Sequence, residues 1–368
     1  MQKYTTRASI CEKPKSYAVL FLCLTMLILL LVFSESPAEN VRRSLSLCYQ
    51  TVIPAVFPFM VISSFMIKTG AHKALVRLLG KPIRLLVGCS EGASSSVLLG
   101  FLCGFPIGAS SAAALYDSGE ISKREFERLL IFVNNPGAAF VIGGVGIGIF
   151  NSSEIGRIVY LSVIISSLTA ALFSRFFYKS DAENHSHPQK SEEVNLSLAS
   201  AFTSALGDSA LNTLTVSACV VFFSIPVGLL YELLRPIAPP LFFSLLSSFF
   251  EISGGCNSSV ALSSPTRALM MCAFACSWSG LSVHLQVFSV CRGRNLSFSP
   301  YVISKLIQGM LSPLLAFILS RRASELSFSD VERTVFISPP LQNLIFSLFV
   351  LSALIALCRR NERDGTGI

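Results

Sequence analysis

Two short runs of small and polar residues, each set inside an apolar stretch, carry the groups best suited to bind a ligand. The first run, Gly108-Ala109-Ser110-Ser111, follows a break at 104–108, and the second, Gly255-Cys256-Asn257-Ser258-Ser259, follows a break at 253–255. A helix that begins at such a run offers free N–H groups and partial positive charge, which favour an anion. We predict substrate binding by these members of the two runs: Gly108, Ser110, Ser111, Gly255, Asn257, Ser258 and Ser259.

Ionisable side chains are rare inside the apolar regions, and those present are candidates for ion coupling. Charges are costly inside a membrane, so Glu251, His284 and Lys305 are functional candidates by default. Glu251 directly precedes the second break and could take a proton or a sodium ion; the alternative is a structural capping hydrogen bond. Lys305 could pair with Glu251 or meet an anionic substrate; the alternative is that it extends toward the membrane surface. We predict that Glu251 and Lys305 couple transport to an ion.

A motif rich in small or polar residues follows each break. Asn134-Asn135-Pro136-Gly137 stands in the first half, and Ser277-Trp278-Ser279-Gly280 stands in the second, shortly before His284 and Gln286. We predict that Asn134, Asn135, His284 and Gln286 contribute to substrate binding. Hydrogen bonding between helices is the alternative for His284 and Gln286, and close helix packing is the alternative for the glycines and serines of both breaks.

These residues need a helical framework inside a membrane. Of the 368 residues, 52% are hydrophobic and only 14% are charged, against roughly 25% charged in an ordinary soluble domain. The apolar residues form continuous blocks, which indicates membrane-spanning helices and excludes soluble enzymes and secreted disulfide scaffolds. The predicted spans are 16–34, 45–67, 129–150, 156–177, 209–231, 266–290, 300–320 and 335–358.

Two further apolar stretches, 93–116 and 241–262, are interrupted in the middle by glycine and proline or by paired glycines. Bare backbone cannot face lipid, so we predict that each forms a re-entrant hairpin of two half-helices. The fold class expected is therefore an all-α polytopic membrane protein, with about eight transmembrane helices and two re-entrant helical hairpins in an inverted repeat.

The basic residues define an orientation. Most of the 29 Lys and Arg residues lie in segments that this assignment places on one side, which predicts that both termini are cytoplasmic. The net charge of +8 is then a consequence of topology, and we expect no nucleic-acid partner. In the 68–84 segment, basic residues alternate with leucines, which predicts a helix lying in the cytoplasmic interface.

The two interrupted stretches belong to a degenerate internal repeat. The predicted units are an N-terminal tail and first span (1–44), a first gate-like repeat (45–178), a cytoplasmic linker (179–207), a second gate-like repeat (208–322), and a last span with a basic tail (323–368). The topology places the first repeat with its start outside and the second with its start inside. Inverted repeats with paired broken helices are typical of secondary transporters.

The sequence contains no recognisable enzyme motif, so we predict that the chain is not an enzyme. It has neither a Gly-x-Ser-x-Gly motif nor a Walker loop, and uphill transport would need an ion gradient or an outside partner. The eleven cysteines are scattered. Cys272 and Cys276 share a helix face without further ligands at metal-binding spacing, so we expect packing roles, no metal and no cofactor.

Several of these motifs resemble the sporulation integral membrane protein family known as YlbJ or SpoVV, which carries paired nucleoside-recognition "gate" domains. The resemblance covers residues 45–320 and rests on these segments: 104–109, 128–140, 143–146, 251–255 and 279–286. It implies transport of dipicolinate across the mother-cell-derived membrane around the forespore. The run Ser277-Trp278-Ser279-Gly280 departs from an expected Phe-Gly-Gly-like run, so Trp278 is expected to alter the site.

The sequence and the resemblance together predict a secondary transporter of a small anionic metabolite, with dipicolinate during endospore formation as the leading substrate. The alternatives are a transporter of nucleoside-like solutes and a non-transporting membrane scaffold of sporulation. The expected partners are the lipid bilayer and a small anionic solute, with a homo-oligomer or sporulation membrane partners left open. The expected location is the cell membrane, with the outer forespore membrane as a narrower option.

Overall fold

The computed structural model describes residues 9–33, 35–90, 92–178, 197–234 and 236–321, and every regular element in these ranges is a helix. The predicted all-α membrane fold is confirmed, because five helices in these ranges are long and apolar enough to cross a membrane. These helices are Pro37–Lys68, Ser153–Phe177, Leu198–Leu234, Pro265–Val290 and Ser299–Ser320. The predicted span 335–358 and the basic C-terminal tail lie outside the described residues.

The N-terminal part consists of one helix and one long helical rod. Helix α1 (Ser9–Val32) comes first. In the rod, a π-helical turn at Cys48–Val52 joins α2 (Glu35–Leu47) to α3 (Ile53–Lys68). Most apolar side chains of α1 from residue 17 onward are exposed, as expected for a helix that meets lipid.

Helix α4 (His72–Val87) is amphipathic and ends at Gly88, whose left-handed φ of 67° terminates the helix. Its leucines Leu78 and Leu85 are exposed between basic residues. The helix predicted for the 68–84 segment is therefore present as His72–Val87, while its location in the membrane interface stays a prediction.

Two arginines hold the C-terminal end of α4 against the rest of the protein. Arg128, which is buried, donates hydrogen bonds to the carbonyl oxygens of Val87 and Gly88, the latter at 2.6 Å. Arg175 donates to the carbonyl of Leu86 at 3.3 Å. Unpaired carbonyls at a helix C-terminus carry partial negative charge, so two guanidinium groups stabilise this end.

The remaining helices form two halves with the same order of elements. The first half contains α5 (Ala93–Cys103), α6 (Ile107–Asp117), α7 (Lys123–Val133), a π-helix (Ala139–Ile149) and α8 (Ser153–Phe177). The second half contains α9 (Leu198–Leu234), α10 (Pro240–Phe250), α11 (Ile252–Ser259), α12 (Pro265–Trp278), α13 (Gly280–Val290) and α14 (Ser299–Ser320). In each half a pair of short helices is followed by a helix interrupted in its middle and by a closing helix. The long helix α9 precedes the pair in the second half, and α3 followed by α4 precedes it in the first.

Two of the predicted spans contain an interruption. The expected span 129–150 unwinds at 134–137, because proline and the residue before it disfavour continuation of the helix. The expected span 266–290 is confirmed as the apolar stretch Pro265–Val290, with a break at Ser279 and Gly280, which both have a φ of 73°. The linker predicted for 179–207 is also too long, since α9 already begins at Leu198. Residues 179–196 of that linker lie outside the described residues.

The two halves pack into each other and do not form separate bodies. Helix α14 of the second half packs against α7 and α8 of the first, and α12 also contacts α8. One group of buried apolar residues joins Phe126 and Phe132 of α7 to Val283 of α13. Another joins Val163 of α8 to Leu269 of α12. The interrupted segments are therefore held in the interior of the molecule.

Candidate functional site

The tip of the first helical hairpin rests against the unwound segment of the helix that follows. Between α5 and α6, the chain turns at Gly104, which has a φ of 77°. A Cβ atom at this position would lie 2.8 Å from the Cα of Gly137 and 2.9 Å from the carbonyl oxygen of Asn135. The Phe105 N–H donates a hydrogen bond to the same carbonyl at 2.8 Å. Only glycine allows this close approach of two backbone segments.

The tip of the second hairpin makes the equivalent contact. Between α10 and α11, the chain turns at Glu251, whose backbone is extended. A Cβ atom at Gly280, in the break between α12 and α13, would lie 2.9 Å from the Glu251 Cα. The indole Nε1 of Trp278 donates to the carbonyl of Phe249 at 3.1 Å. Each hairpin tip therefore meets the break of the next helix in its own half.

Within each hairpin, a contact between two serine hydroxyls joins the two arms, and the contact is the same in both hairpins. The Ser111 hydroxyl on α6 donates to the Ser96 hydroxyl on α5 at 3.1 Å. On the second hairpin, the Ser258 hydroxyl on α11 donates to the Ser244 hydroxyl on α10 at 3.5 Å. Ser111 and Ser258 are equivalent positions of the predicted repeat. The internal repeat is therefore visible in the structure, while its inversion across a membrane stays a prediction.

The two hairpin tips meet at a small cavity in the interior. Its lining residues come from α3, both hairpin tips, the π-helix and α9: Val56, Phe59, Met60, Cys103, Phe105, Gly137, Ala139, Phe140, Val216, Ile252 and Ser253. Its volume of about 30 Å³ has room for one or two water molecules. The Ser253 hydroxyl, beside the Glu251 carboxyl, is buried without a hydrogen bond of normal geometry. A metabolite that binds here must displace side chains, so binding requires movement of a hairpin.

Glu251 caps the helix that follows it. Its side chain is 4% exposed, and its carboxylate accepts a hydrogen bond from the Gly254 N–H at 2.7 Å. Its own carbonyl accepts from the Gly255 N–H at 3.0 Å. Glu251 therefore makes the structural capping hydrogen bond that was expected as the alternative to ion binding. A carboxylate at a helix N-terminus is electrostatically favourable.

Lys305 is completely buried and is held by amide oxygens. Its Nζ donates to Asn135 Oδ1 at 3.0 Å and to Gln308 Oε1 at 3.4 Å. The expected pairing with Glu251 and the alternative of extending toward the membrane surface are both wrong, because α14 packs Lys305 directly against the unwound segment of the first half. A buried lysine whose partners are neutral amide oxygens is unusual, and an anion bound beside it would stabilise its charged form.

A second chain of hydrogen bonds involves Tyr301, which lies one helical turn before Lys305 on α14. The Tyr301 hydroxyl accepts a hydrogen bond from Asn134 Nδ2 at 3.2 Å and lies 2.9 Å from Nδ1 of His284. Among the described residues, neither Asn134 Oδ1 nor His284 Nε2 has a hydrogen-bond partner, although both atoms are buried. Such atoms are costly unless a ligand or water satisfies them. The His284 ring also lies against Trp278, with ring centroids 4.5 Å apart.

The other residues predicted for substrate binding lie elsewhere in the two hairpins and on α13. Ser110 and Asn257 are exposed. The hydroxyls of Ser110 and Ser259 donate to backbone carbonyls of their own helices, and those of Ser111 and Ser258 have such a carbonyl as a second acceptor within reach. Gly108 and Gly255 are buried where the hairpin arms pack closely. Gln286 is half-buried beside Cys219 of α9 and does not share the surroundings of His284. Substrate contact by these residues stays a prediction.

Sequence reasoning missed two members of the polar group on α14. Tyr301, Lys305 and Gln308 follow each other at spacings of four and three, so they lie on one face of the helix. Gln308 donates to the Ser304 hydroxyl and to the Ile131 carbonyl, both at 2.8 Å. The spacing was visible in the sequence, but only the structure shows which unwound segment this face meets.

Comparisons with known proteins support a relationship to a membrane protein of sporulation. No family model matches the chain. The chain is 26% identical over 320 residues to the sporulation integral membrane protein YlbJ of Bacillus subtilis strain 168, which covers 77% of this chain and 78% of that protein. Among solved structures, CNTnw in an inward-facing substrate-bound state aligns with a TM-score of 0.44 and 13% identity, over 89% of this chain and 88% of that one. The chain is thus a membrane protein related to the sporulation protein YlbJ, which confirms the resemblance predicted from its motifs.

Proposed function

We propose that the chain is a secondary transporter of a small anionic metabolite, with its substrate site where the two hairpin tips meet. The observation that carries this proposal is the shared arrangement of the two halves: each hairpin docks on an interrupted helix, and both tips line one cavity. Paired broken helices at the centre of an internal repeat are the structural pattern of secondary transporters.

The charges around the breaks favour an anionic substrate. Lys305 places its amine next to the unwound segment 134–137, where its partner is the neutral amide of Asn135, and an anionic substrate would stabilise the charged form of this amine. The Glu251 carboxylate, by contrast, is already bound to the N-terminus of α11. A substrate carboxylate can therefore replace the Asn135 amide as a partner of Lys305, which yields a stronger, charge-assisted hydrogen bond.

Glu251 offers a route from ion binding to movement of the second hairpin. As a carboxylate it accepts from the Gly254 N–H and stabilises the start of α11. A protonated carboxyl is a weaker acceptor and no longer complements the helix dipole. Binding of a proton at Glu251 would therefore loosen α11 next to Ser253 in the cavity, which links the coupling role proposed for Glu251 to the substrate site.

Dipicolinate is the substrate that we propose first, at the membrane around the forespore. The relative YlbJ is named as a sporulation membrane protein, and the motif resemblance implies this pyridine dicarboxylate. Its two carboxylates suit a site that joins Lys305 to the N–H groups of the hairpin helices. A nucleoside-like solute is the alternative substrate. The amide and hydroxyl groups alone would hold it, without a contribution from Lys305.

Substrate flux into proteoliposomes tests the proposal. Vesicles that contain the unsubstituted protein should take up labelled dipicolinate in a saturable way, and Lys305→Met should reduce uptake about ten- to a hundredfold, because a hydrogen bond to a charged group is worth about 1.5–3 kcal/mol. The matched control is Lys123→Met, since Lys123 is exposed at the start of α7. Uptake equal to that of empty vesicles would contradict transport of dipicolinate. Uptake of a nucleoside such as uridine that survives Lys305→Met would favour the alternative substrate.

A non-transporting scaffold is favoured by one observation, the exposed basic face of α4. Lys73, Arg77 and Lys81 are exposed on a helix that two arginines hold in place. If the scaffold hypothesis is correct, spore formation should survive Lys305→Met and fail when these three basic residues are replaced by glutamine. The transporter hypothesis predicts the opposite pattern in the same two strains.

A further inference from the structure

Three cysteines from two helices of the second half meet in the buried core. Cys272 and Cys276 lie one turn apart on α12, and Cys256 lies on α11, the second arm of the second hairpin. All three side chains are completely buried. The Cys256 sulfur lies 3.5 Å from that of Cys272 and 3.8 Å from that of Cys276. The sequence showed only the pair on α12, because Cys256 is brought to it by the hairpin fold.

The spacing of the sulfurs fits a three-coordinate metal ion. All three Sγ atoms lie within 4.8 Å of one another. A metal–sulfur bond of about 2.3 Å places the corners of a planar trigonal site about 4.0 Å apart. The two distances from the Cys256 sulfur therefore lie within about 0.5 Å of the values that a trigonal site requires. Across the described residues, no other group of three or more His, Cys, Asp or Glu side chains brings its ligand atoms together in this way.

The number and type of ligands select the kind of ion. The cluster is enclosed by apolar side chains such as Leu269 and Ala273, which offer no oxygen or nitrogen ligand beside the sulfurs. Metal ions bind cysteine as the thiolate, so binding releases thiol protons to solvent. Zinc prefers four ligands, whereas three sulfurs come together here. Soft sulfur ligands in a three-coordinate set suit Cu(I).

We infer that Cys256, Cys272 and Cys276 form a binding site for a soft monovalent metal ion of the Cu(I) type. The ion can reach the sulfurs when α11 opens, because this helix has eight residues and continues into the exposed residues Val260 and Ala261. Once bound, the metal ties the second hairpin to α12. This inference does not depend on the transport proposal.

Copper binding by the purified, reduced full-length protein tests the inference. In competition with a Cu(I) chelator, the unsubstituted protein should bind one Cu(I), and native mass spectrometry should show the added mass of one copper less that of the thiol protons released. The double variant Cys272→Ser/Cys276→Ser should lose this binding. The control Cys103→Ser, a buried cysteine of α5 outside the cluster, should retain it. Equal copper binding by the double variant and the control would overturn the inference.

X-ray absorption of the copper-loaded, unsubstituted protein provides a measurement that no substitution can disturb. We expect a shell of three sulfurs at about 2.3 Å. A two-sulfur shell, or one that contains nitrogen or oxygen, would overturn the three-cysteine site. The melting temperature should also rise on loading in the Cys103→Ser control, because the ion binds the folded arrangement only. No rise in that control would contradict a metal link between α11 and α12.

Discussion

The contact between the first hairpin tip and the next helix makes a quantitative prediction for Gly104→Ala. At Gly104 the φ of 77° and ψ of −163° define a backbone conformation that is essentially restricted to glycine, which costs an alanine about 1–3 kcal/mol. The new Cβ would also meet the Gly137 backbone, with its Cα only 2.8 Å away, which adds about 1–3 kcal/mol of overpacking. We therefore expect Gly104→Ala to lower the free energy of unfolding by about 2–6 kcal/mol.

Gly119 provides a matched control in the same half. Its φ of 74° is nearly the same, but a Cβ atom there would meet nothing within 4 Å. Gly119→Ala should therefore cost only the backbone strain of about 1–2 kcal/mol. The gain from restricting the unfolded chain is common to both substitutions and cancels in the difference. The second half offers the same pair, with Gly280→Ala as the tight position and Gly293→Ala as the open one.

The assay is reversible unfolding of the purified protein in mixed detergent micelles, followed by intrinsic fluorescence. The excess loss of Gly104→Ala over Gly119→Ala should be about 1–3 kcal/mol, and Gly280→Ala should exceed Gly293→Ala in the same direction. Equal losses within both pairs would refute the reasoning, because the close approach of hairpin tip and helix break would then contribute nothing to stability.

Three further predictions follow from single contacts. Arg128→Ala should leave the C-terminal carbonyls of α4 unpaired and increase proteolytic cleavage of α4 in vesicles, whereas unchanged cleavage would contradict its anchoring role. Tyr301→Phe should cost about 1–3 kcal/mol of unfolding free energy, because Asn134 and His284 lose their shared partner; a loss no larger than that of an exposed Tyr→Phe change would argue against the buried chain. Glu251→Gln should lose the pH dependence of uptake and, like the protonated carboxyl, cap α11 more weakly than the carboxylate, whereas Glu251→Ala should lose the full capping energy of about 0.5–2 kcal/mol; an unchanged pH profile in Glu251→Gln would exclude Glu251 as the proton site.

The sequence predicted the class of fold and the position of the first hairpin break, because apolar blocks and glycine or proline interruptions are local signals. The second break, predicted at 253–255, lies instead at Glu251, and 253–255 are helical in α11, which Glu251 caps. The sequence did not predict that the spans 129–150 and 266–290 are also interrupted. The break at Ser279 needs a non-glycine residue in the left-handed region, a conformation that only tertiary contacts stabilise. The break at 134–137 has a local signal, Pro136, but the apolar residues on both sides of it favoured the prediction of a continuous span.

The partners of the buried charges could not be read from the sequence. Lys305 reaches Asn135, 170 positions earlier in the chain, because α14 packs against the first half. Periodicity along α14 shows only that Tyr301, Lys305 and Gln308 share a face. The meeting of Cys256 with the cysteines of α12 likewise follows from the hairpin turn at Glu251, which spacing along the chain does not reveal.

Uptake of labelled dipicolinate by proteoliposomes that contain Ser253→Leu tests the central claim most directly. Ser253 lines the cavity between the two hairpin tips, and a leucine there would fill it. Ser263→Leu is the matched control, because Ser263 is an exposed residue in the loop after the same hairpin. We predict saturable uptake for the unsubstituted protein and Ser263→Leu, with uptake abolished in a folded Ser253→Leu. Full uptake by Ser253→Leu would show that solute does not pass between the hairpin tips.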